Sequence, residues 1–363
     1  MGCHIVVGGQ YGSEGKGKVV ALEAGLLANP WVVRCGGPNS GHTISADGRE
    51  IVLRQVPAGA AHRHAVLLLS AGCAIDEQIL LDELDLLAVP KERIVVDPRG
   101  VLIRASDRGA EESWVGAIGS TGSGTGAALA RRASRSSGVD LAGDSNRLGD
   151  RVRLEPVAPA LHAHVDKGGD VIVEGTQGFG LSLLHGFHYP FVTARDTTAA
   201  GFASEVGLSP RQIDSITMVI RTFPIRVGGN SGPLKNEISW DEVQRVSRAP
   251  ELMPERTSVT HRQRRVALFD IDAVVAACQY NRPTALAVMG LDRIDYRNTE
   301  VTRVEDLSGE SIAFLEYIEA WTGVPISWVG TGFLANEALR WHHPGPSRAA
   351  EAANAESAGG ARK

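Results

Sequence analysis

Lysine is scarce in this chain: only six of the 37 basic residues are lysine, at positions 16, 18, 91, 167, 235 and 363, and two of the six share one short glycine-rich segment. Cysteine is sparse as well, with Cys3, Cys35, Cys73 and Cys278 showing no C-x-x-C spacing, which excludes a cysteine-built zinc module and a disulfide scaffold. Without a leader-like pattern at the start, these thiols are expected to be buried or free in a reducing compartment. There is no surplus of positive charge. A net charge of −5 and a pI of about 6.1 argue against a surface that binds a nucleic-acid polymer through diffuse charge. Nor is there a long hydrophobic run: the longest apolar stretch, Ala65 to Ile75, is broken by Ser70 and Gly72 and falls far short of the ~20 residues of a membrane span. No membrane partner and a soluble, cytoplasmic protein are therefore expected.

What is abundant is glycine, 42 residues where an average usage of about 7% would give ~25, clustered between apolar runs. Apolar residues make up 43% and charged residues 22%, an ordinary globular profile that disfavours disorder, collagen and coiled coil. Short β-like runs occur at His4–Gly9, Trp31–Arg34, Ala65–Ser70, Arg93–Val96, Asp170–Glu174, Ser215–Ile220 and Thr284–Met289. Helical candidates lie between them at about Gly17–Leu27, Asp76–Leu87, Val152–Val165 and Val266–Tyr280. This alternation predicts an α/β fold, a single large domain with a mostly parallel central sheet covered by helices and a phosphate-binding loop after the first strand. No internal repeat or clean linker divides the chain. Residues 1–341 are expected to form the domain, and 342–363, rich in Pro, Ala, Gly and Ser, a weakly packed tail.

Five motifs carry chemistry. The first, Gly8 to Lys18 (GGQYGSEGKGK), joins strand to helix, where backbone N–H groups and a lysine charge can hold phosphate. It is not a Walker A loop, because position 10 is Gln and position 17 is Gly, so no hydroxyl follows the lysine to hold magnesium. The second, Cys35–Thr43 (CGGPNSGHT), offers an amide, hydroxyls and His42; a lone histidine is more often structural than catalytic. The third, Ile118–Gly126, leads to Arg131, Arg132 and Arg135 and suits a monophosphate, with hydroxyls and backbone donors first and guanidiniums after. The fourth is Glu174–Gly178 (EGTQG) followed by His185–Thr193. The fifth, Thr257–Arg265 (TSVTHRQRR), packs three arginines into four residues, either a solvated basic loop or a clamp for a dicarboxylate.

In this order, over about residues 4 to 332, the motifs resemble the adenylosuccinate synthetase family, whose segments read G-D-E-G-K-G-K, G-H-T, T-T-G, E-G-x-Q-G, Y-P-x-V-T and R-x-R-R. The resemblance implies a homodimeric ligase that uses Mg²⁺. A nucleoside triphosphate phosphorylates O6 of a purine monophosphate, and the amino group of L-aspartate then displaces that phosphate. Carried over by position, Gly12, Glu14, Gly15, Lys16, Gly17, Gly41, Thr43, Arg264, Asp292, Thr331 and Gly332 would bind the donor nucleotide, with Mg²⁺ near Ser13 and the Gly41 carbonyl. Ser13, His42 and Gln177 would be catalytic, His42 as a charged donor to the transferring phosphoryl group. Ser13, Asn39, Ser120, Thr121, Gln177, Thr193, Val227 and Arg262 would hold the acceptor, with Arg135 reaching it from the partner subunit. Val259, Thr260, Arg262 and Arg264 would bind aspartate.

The chain departs from that pattern at three places. Ser13 stands where the family has its catalytic carboxylate, and serine is no ordinary general base near neutral pH. The neighbouring Glu14 to Lys18 are retained, and a shorter, neutral side chain beside N1 leaves room for an exocyclic amine at C2. This resembles the phage branch of the family, which aminates dGMP to N6-succino-2-amino-2'-deoxyadenylate on the way to 2-aminoadenine in DNA, and implies a host cytoplasm. Gly290 replaces the lysine of the guanine-reading T-K-x-D segment while Asp292 survives, so ATP or dATP is the expected donor. Phe333 replaces a proline. The alternatives are a housekeeping enzyme acting on IMP with GTP and a non-catalytic nucleotide-binding module.

Overall fold

Apolar runs of four to six residues, too short for helices and buried on both faces, become the strands of one sheet. The computed structural model describes residues 2–46, 49–135, 138–257, 262–332, 334 and 337–343. The first strand, Cys3–Gly8 (β1), lies inside a ten-stranded sheet between Val171–Glu174 and Ile213–Arg221. On one side the sheet continues from Val171–Glu174 through Trp31–Arg34 (β2), Val66–Leu69 and Ile94–Val96 to Arg153–Leu154. On the other it runs from Ile213–Arg221 through Ala285–Met289 and Ile326–Gly330 to Ala338–Arg340. Only the last pairing is antiparallel.

The alternation along each strand divides the core into two layers. Ile5, Val7, Val33, Leu68, Val171 and Val173 pack on one face with Leu161, Phe202, Val274 and Leu315 from four helices. Val6, Val32, Leu67, Leu69 and Ile172 pack on the other with Val19 and Val20 of the helix Lys16–Gly25 (α1) and with Leu80 and Leu84 of Glu77–Leu86. The sheet is therefore covered on both faces, the expected single α/β domain. All four cysteines are buried and unpaired.

Two expected helices start later than their apolar patterns suggest. The one placed from Val152 begins at Val157, because Arg153–Leu154 pairs with the sheet edge and Pro156 lies at the helix start. The one placed from Val266 begins at Ile271, because Arg265–Ala267 is the middle strand of a small antiparallel sheet with Ile225–Arg226 and Glu237–Ile238. Helices at Ala105–Ile118, Thr125–Ala133, Ala199–Val206, Trp240–Ser247 and Gly309–Thr322 were not among the expected ones, although Trp240–Ser247 is amphipathic, with Trp240 and Val243 buried. Of the expected tail, residues beyond His343 lie outside the described residues. No helix among the described residues is long and apolar enough to cross a membrane.

Where the Val171–Glu174 strand ends, Gly175 donates its N–H to the Val6 carbonyl at 2.9 Å. A Cβ there would stand 2.5 Å from the Phe202 ring and 2.7 Å from the Val6 oxygen. Backbone cannot yield as a flexible side chain would, so Gly175→Ala should destabilise the fold by about 1–3 kcal/mol. A lowered apparent Tm in a thermal scan checks this, and an unchanged Tm would contradict the packing described.

Candidate functional site

Strands of a parallel sheet deliver their loops to one edge, and here the carboxyl ends of β1, β2, Val171–Glu174, Ile213–Arg221 and Ala285–Met289 all open on the same region. The loop after β1 turns through left-handed backbone at Gly12 (φ 88°), Ser13 (φ 58°) and Gly15 (φ 100°). The buried Glu14 carboxylate shapes it by accepting from the Gln10 and Gly12 N–H groups at 3.1 and 2.8 Å and from Lys16 Nζ at 2.7 Å. Lys16 also donates to the Gln177 carbonyl, which binds this loop to the one after Val171–Glu174. No side chain caps α1, so its first N–H groups are left for an anion.

Three adjoining cavities lie here. One, of about 500 Å³, is lined by Tyr11, Asn39, Trp114, Ser120, Thr121, Gln177, Thr193, Arg226 and Val227. A second, of about 520 Å³, is lined by Ser13 to Lys18, Gly41, His42, Thr43, Arg221, Arg264, Met289, Gly290, Asp292 and Gly332. A small space of about 90 Å³ shares walls with both and is bounded by Gly12, Ser13, Asn39, Gly41, Thr121, Gln177, Arg262 and Arg264. Most of the expected donor residues thus gather in the second cavity and most of the expected acceptor residues in the first, Gly12 and Arg262 line only the small space, and Ser13 sits where the cavities meet. Thr331 is buried behind the second cavity's wall rather than lining it.

The buried polar atoms without a protein partner include Asn39 Oδ1, His42 Nε2, Gln177 Oε1 and Thr331 Oγ1. Leaving such atoms unpaired costs about 1–3 kcal/mol each, and Asn39, His42 and Gln177, which line these cavities, can each be satisfied there by a polar ligand. Gln177 holds its position at φ 51°, a strained conformation for a residue with a side chain.

His42 lies in a buried network. Its Nδ1 bonds the Glu174 carboxylate, which also accepts from Arg34 Nη1 at 3.2 Å and from the Ala58 N–H at 2.7 Å. Burial, followed by the Arg34 charge, lowers the His42 pKa to about 4 despite the opposing pull of Glu174. The ring is therefore neutral near pH 7. With Nδ1–H turned to the carboxylate, Nε2 carries a bare lone pair and has no protein partner.

Ser13 Oγ accepts from Arg264 Nη1 at 2.6 Å, and its carbonyl accepts from Arg221 Nη1 at 3.1 Å. Arg221 is itself paired with Glu255, at 2.5 Å between Nη2 and Oε1. The Arg264 guanidinium makes no carboxylate ion pair among the described residues, and burial, the largest cause, holds its pKa below the usual arginine range. The junction is thus arranged for an incoming anion.

Several expectations change. The donors of the Ile118–Gly126 segment are largely occupied: buried Glu111 accepts from the N–H groups of Gly124, Gly126 and Ala127 at 2.9, 2.7 and 3.1 Å and from Ser120 Oγ at 3.3 Å. Arg131 turns to Asp107 at 2.8 Å and Arg132 to the Ala71 carbonyl, so neither guanidinium follows the hydroxyls as a phosphate clamp. Of the three clustered arginines, Arg262 and Arg264 line the junction, whereas Arg265 pairs with Glu237 at 2.5 Å. Arg135 is exposed and lines none of the three cavities. Val259, Thr260 and Phe333 lie outside the described residues. Lys18, Tyr11, Arg221, Arg226 and Glu255 were not among the sequence candidates. Lys18 alone had a sequence signal, its place in GKGK.

No group of three or more His, Cys, Asp or Glu side chains able to hold a metal occurs among the described residues. The junction instead presents the Ser13 hydroxyl and the Gly41 backbone. Neutral oxygens of this kind fit a Mg²⁺ ion carried mainly on substrate phosphates and water, its usual mode of binding at phosphate sites.

A family model described as adenylosuccinate synthetase matches residues 5–153 and 146–299. The adenylosuccinate synthetase of Methanocaldococcus jannaschii is 38% identical over 339 residues, covering 91% of this chain and 94% of the relative. That of a Pyrococcus species is 38% identical over 339 residues, covering 90% and 95%. Among solved structures, fully ligated adenylosuccinate synthetase from Plasmodium falciparum superposes with a TM-score of 0.82 at 18% identity, covering 93% of this chain and 99% of the other. The cyanophage S-2L succinoaminodeoxyadenylate synthetase, bound to dGMP and to dATP as an energy donor, superposes with a TM-score of 0.78 at 27% identity, covering 95% and 96%.

Because the folded chain keeps His42 neutral down to about pH 4, whereas an unfolded histidine gains its proton near 6.5, the unfolded state binds more protons between those values. Resistance to urea should therefore fall as pH drops from about 6.5 to 4. His42→Asn, which keeps a donor toward Glu174 and removes the titration, should flatten that slope; an equal slope in both proteins would count against a neutral buried ring.

Proposed function

We propose, from the premise that the chain belongs to the adenylosuccinate synthetase family, that this C–N bond-forming ligase joins L-aspartate to C6 of dGMP. ATP or dATP phosphorylates O6, the aspartate amine displaces phosphate, and the product is N6-succino-2-amino-2'-deoxyadenylate. The observation that carries the choice of acceptor is Ser13, a short neutral side chain at the junction of the two large cavities. A carboxylate there would crowd a 2-amino group, whereas a hydroxyl leaves space and can accept from it.

The remaining residues take roles from their places. The uncapped start of α1 and Lys16 hold the donor phosphates, and Gly41 and Thr43 close that cavity. Asn39, Ser120, Thr121, Gln177, Thr193 and Val227 surround the acceptor; Asn39 and Gln177 bring buried, unpaired oxygens to it. With a proton taken from solvent as the phosphates bind, His42 Nε2 becomes a donor to the phosphoryl group, backed by Glu174. Arg262 and Arg264 receive the aspartate carboxylates, together with Val259 and Thr260 in the family's pattern. Bound Mg²⁺ would neutralise phosphate charge beside Ser13 and Gly41.

The donor assignment rests on Gly290. Its backbone is left-handed (φ 89°) and a Cβ would stand 2.9 Å from Thr222 Oγ1, so the turn is made for glycine and carries no lysine to read guanine. A second reading, IMP as acceptor with GTP as donor, is favoured by sequence identity, since the archaeal relatives at 38% are adenylosuccinate synthetases. Purified protein with Mg²⁺, aspartate and a grid of IMP, GMP and dGMP against ATP, dATP and GTP separates the two by product. Left-handed backbone suits aspartate well, so Ser13→Asp should fold and should lower kcat/KM for dGMP at least about tenfold more than for IMP. IMP as the better wild-type substrate, or equal losses for both, would sink the dGMP assignment.

A homodimer with shared sites belongs to the same proposal. Exposed Arg135 lies apart from its own chain's cavities, at the family position that reaches the partner's acceptor phosphate. A charge-assisted phosphate bond contributes roughly 1.5–3 kcal/mol, so Arg135→Ala should raise the acceptor KM about ten- to a hundredfold. Mixing Arg135→Ala with Lys16→Ala subunits should restore activity in hybrid sites. No recovery in proven heterodimers would refute the shared site.

A further inference from the structure

Lys16 and Lys18 leave α1 in different directions, about 200° apart around the helix axis. Lys16 turns to Glu14 and Gln177 at the phosphate-loop side of the second cavity. Lys18 crosses to the far edge of the sheet, where Nζ donates to the Gly332 carbonyl at 3.0 Å and to the Glu337 carbonyl at 2.8 Å. The Glu337 carbonyl also accepts from the Thr331 N–H at 2.8 Å. One ammonium therefore ties together the two sides of the connection between Ile326–Gly330 and Ala338–Arg340 and fastens both to α1. Lys18 is buried, yet it lines the cavity together with Asp292 and Gly332.

We propose that Lys18 is the positioning residue of the donor's base pocket: it moors Thr331 and Gly332 to α1, so that one helix sets the span between the donor's phosphates and its purine. This rests on the reading of the second cavity as the donor site. The charged groups facing Lys18 are Glu50 on the Arg49–Leu53 strand, Asp292 after Ala285–Met289, and Glu337 itself. All three favour the ammonium, but burial outweighs them and brings its pKa down to about 8. Burial likewise raises the pKa of Glu50 and of Asp292.

The test compares wild type, Lys18→Met and Lys18→Arg in aspartate-dependent phosphate release, with inorganic tripolyphosphate as a competitive inhibitor that has phosphates and no base. Lys18→Met should raise the KM for ATP about tenfold or more, with kcat and the acceptor KM little changed and the Ki of tripolyphosphate unaltered. Lys18→Arg should restore the KM. An unchanged ATP KM, or a tripolyphosphate Ki that rises in parallel, would overturn the inference. If Lys18→Met does not fold, Lys18→Gln, too short to reach both carbonyls, takes its place: its ATP KM should rise while the Ki of tripolyphosphate holds, and an unchanged ATP KM would refute the inference. Absence of nucleotide-driven phosphate release from wild type would overturn the donor-site reading and this inference together, a result distinct from an active enzyme indifferent to Lys18.

Discussion

The catalytic end of the sheet is assembled on a carboxylate that meets no water. Glu174, at the tip of its strand, is fully buried and holds Arg34 of β2, His42 at the start of the strand His42–Ala46 and the Ala58 N–H at once. Arg34 in turn reaches the carbonyls of Val56, Ser40 and Leu53 at 3.1, 2.9 and 3.2 Å, so the chain from Ser40 to Ala58 is folded around one guanidinium. Burying such a pair is costly, and losing either partner strands a charge at about 3–5 kcal/mol. What the pair secures is placement: His42 has one tautomer and one direction, and Gly41 sits beside it.

The same device recurs around the site. Glu14 gathers the N–H groups of its own loop, Glu111 those at the start of Thr125–Ala133, and Glu83 those of Arg54, Gln55 and Val56 at 2.6, 3.0 and 2.8 Å. Glu205 does so for Gly36 at 2.9 Å while pairing with Arg195. Glycine-rich loops would be loose in isolation, having the most backbone entropy to lose. Internal carboxylates hold them in shape, while the end of α1 has no side-chain cap and the oxygens of Asn39 and Gln177 stay without a protein partner.

Much of this was legible in the residues. Parallel strands announce themselves by short apolar runs, and phosphate chemistry by glycines and two lysines in a lysine-poor chain, because both signals are local. What stayed hidden depends on pairing across hundreds of residues. Nothing near Arg131 says that Asp107 will take it, and nothing in Ile118–Gly126 says that Glu111 already occupies its donors. Ala105–Ile118 buries Asp107 and Glu111 rather than an apolar stripe, so hydrophobic periodicity could not reveal it. Ser13 was visible as an exception, but its bond to Arg264, 251 residues away, was not.

The order of strands has a consequence for synthesis. β1, which comes before every other strand in the chain, ends in the middle of the sheet, flanked by strands that begin at Val171 and Ile213. The second cavity needs walls from Ser13 to Gly332. A partly translated chain can therefore collapse around Val66–Leu69 and Ile94–Val96 while its phosphate loop still lacks neighbours on both sides, and nearly all of the described chain must have emerged before the second cavity has its walls. Affinity for a ligand of that cavity is consequently a property of the nearly finished molecule, and its binding can reward complete folding but cannot guide the early steps.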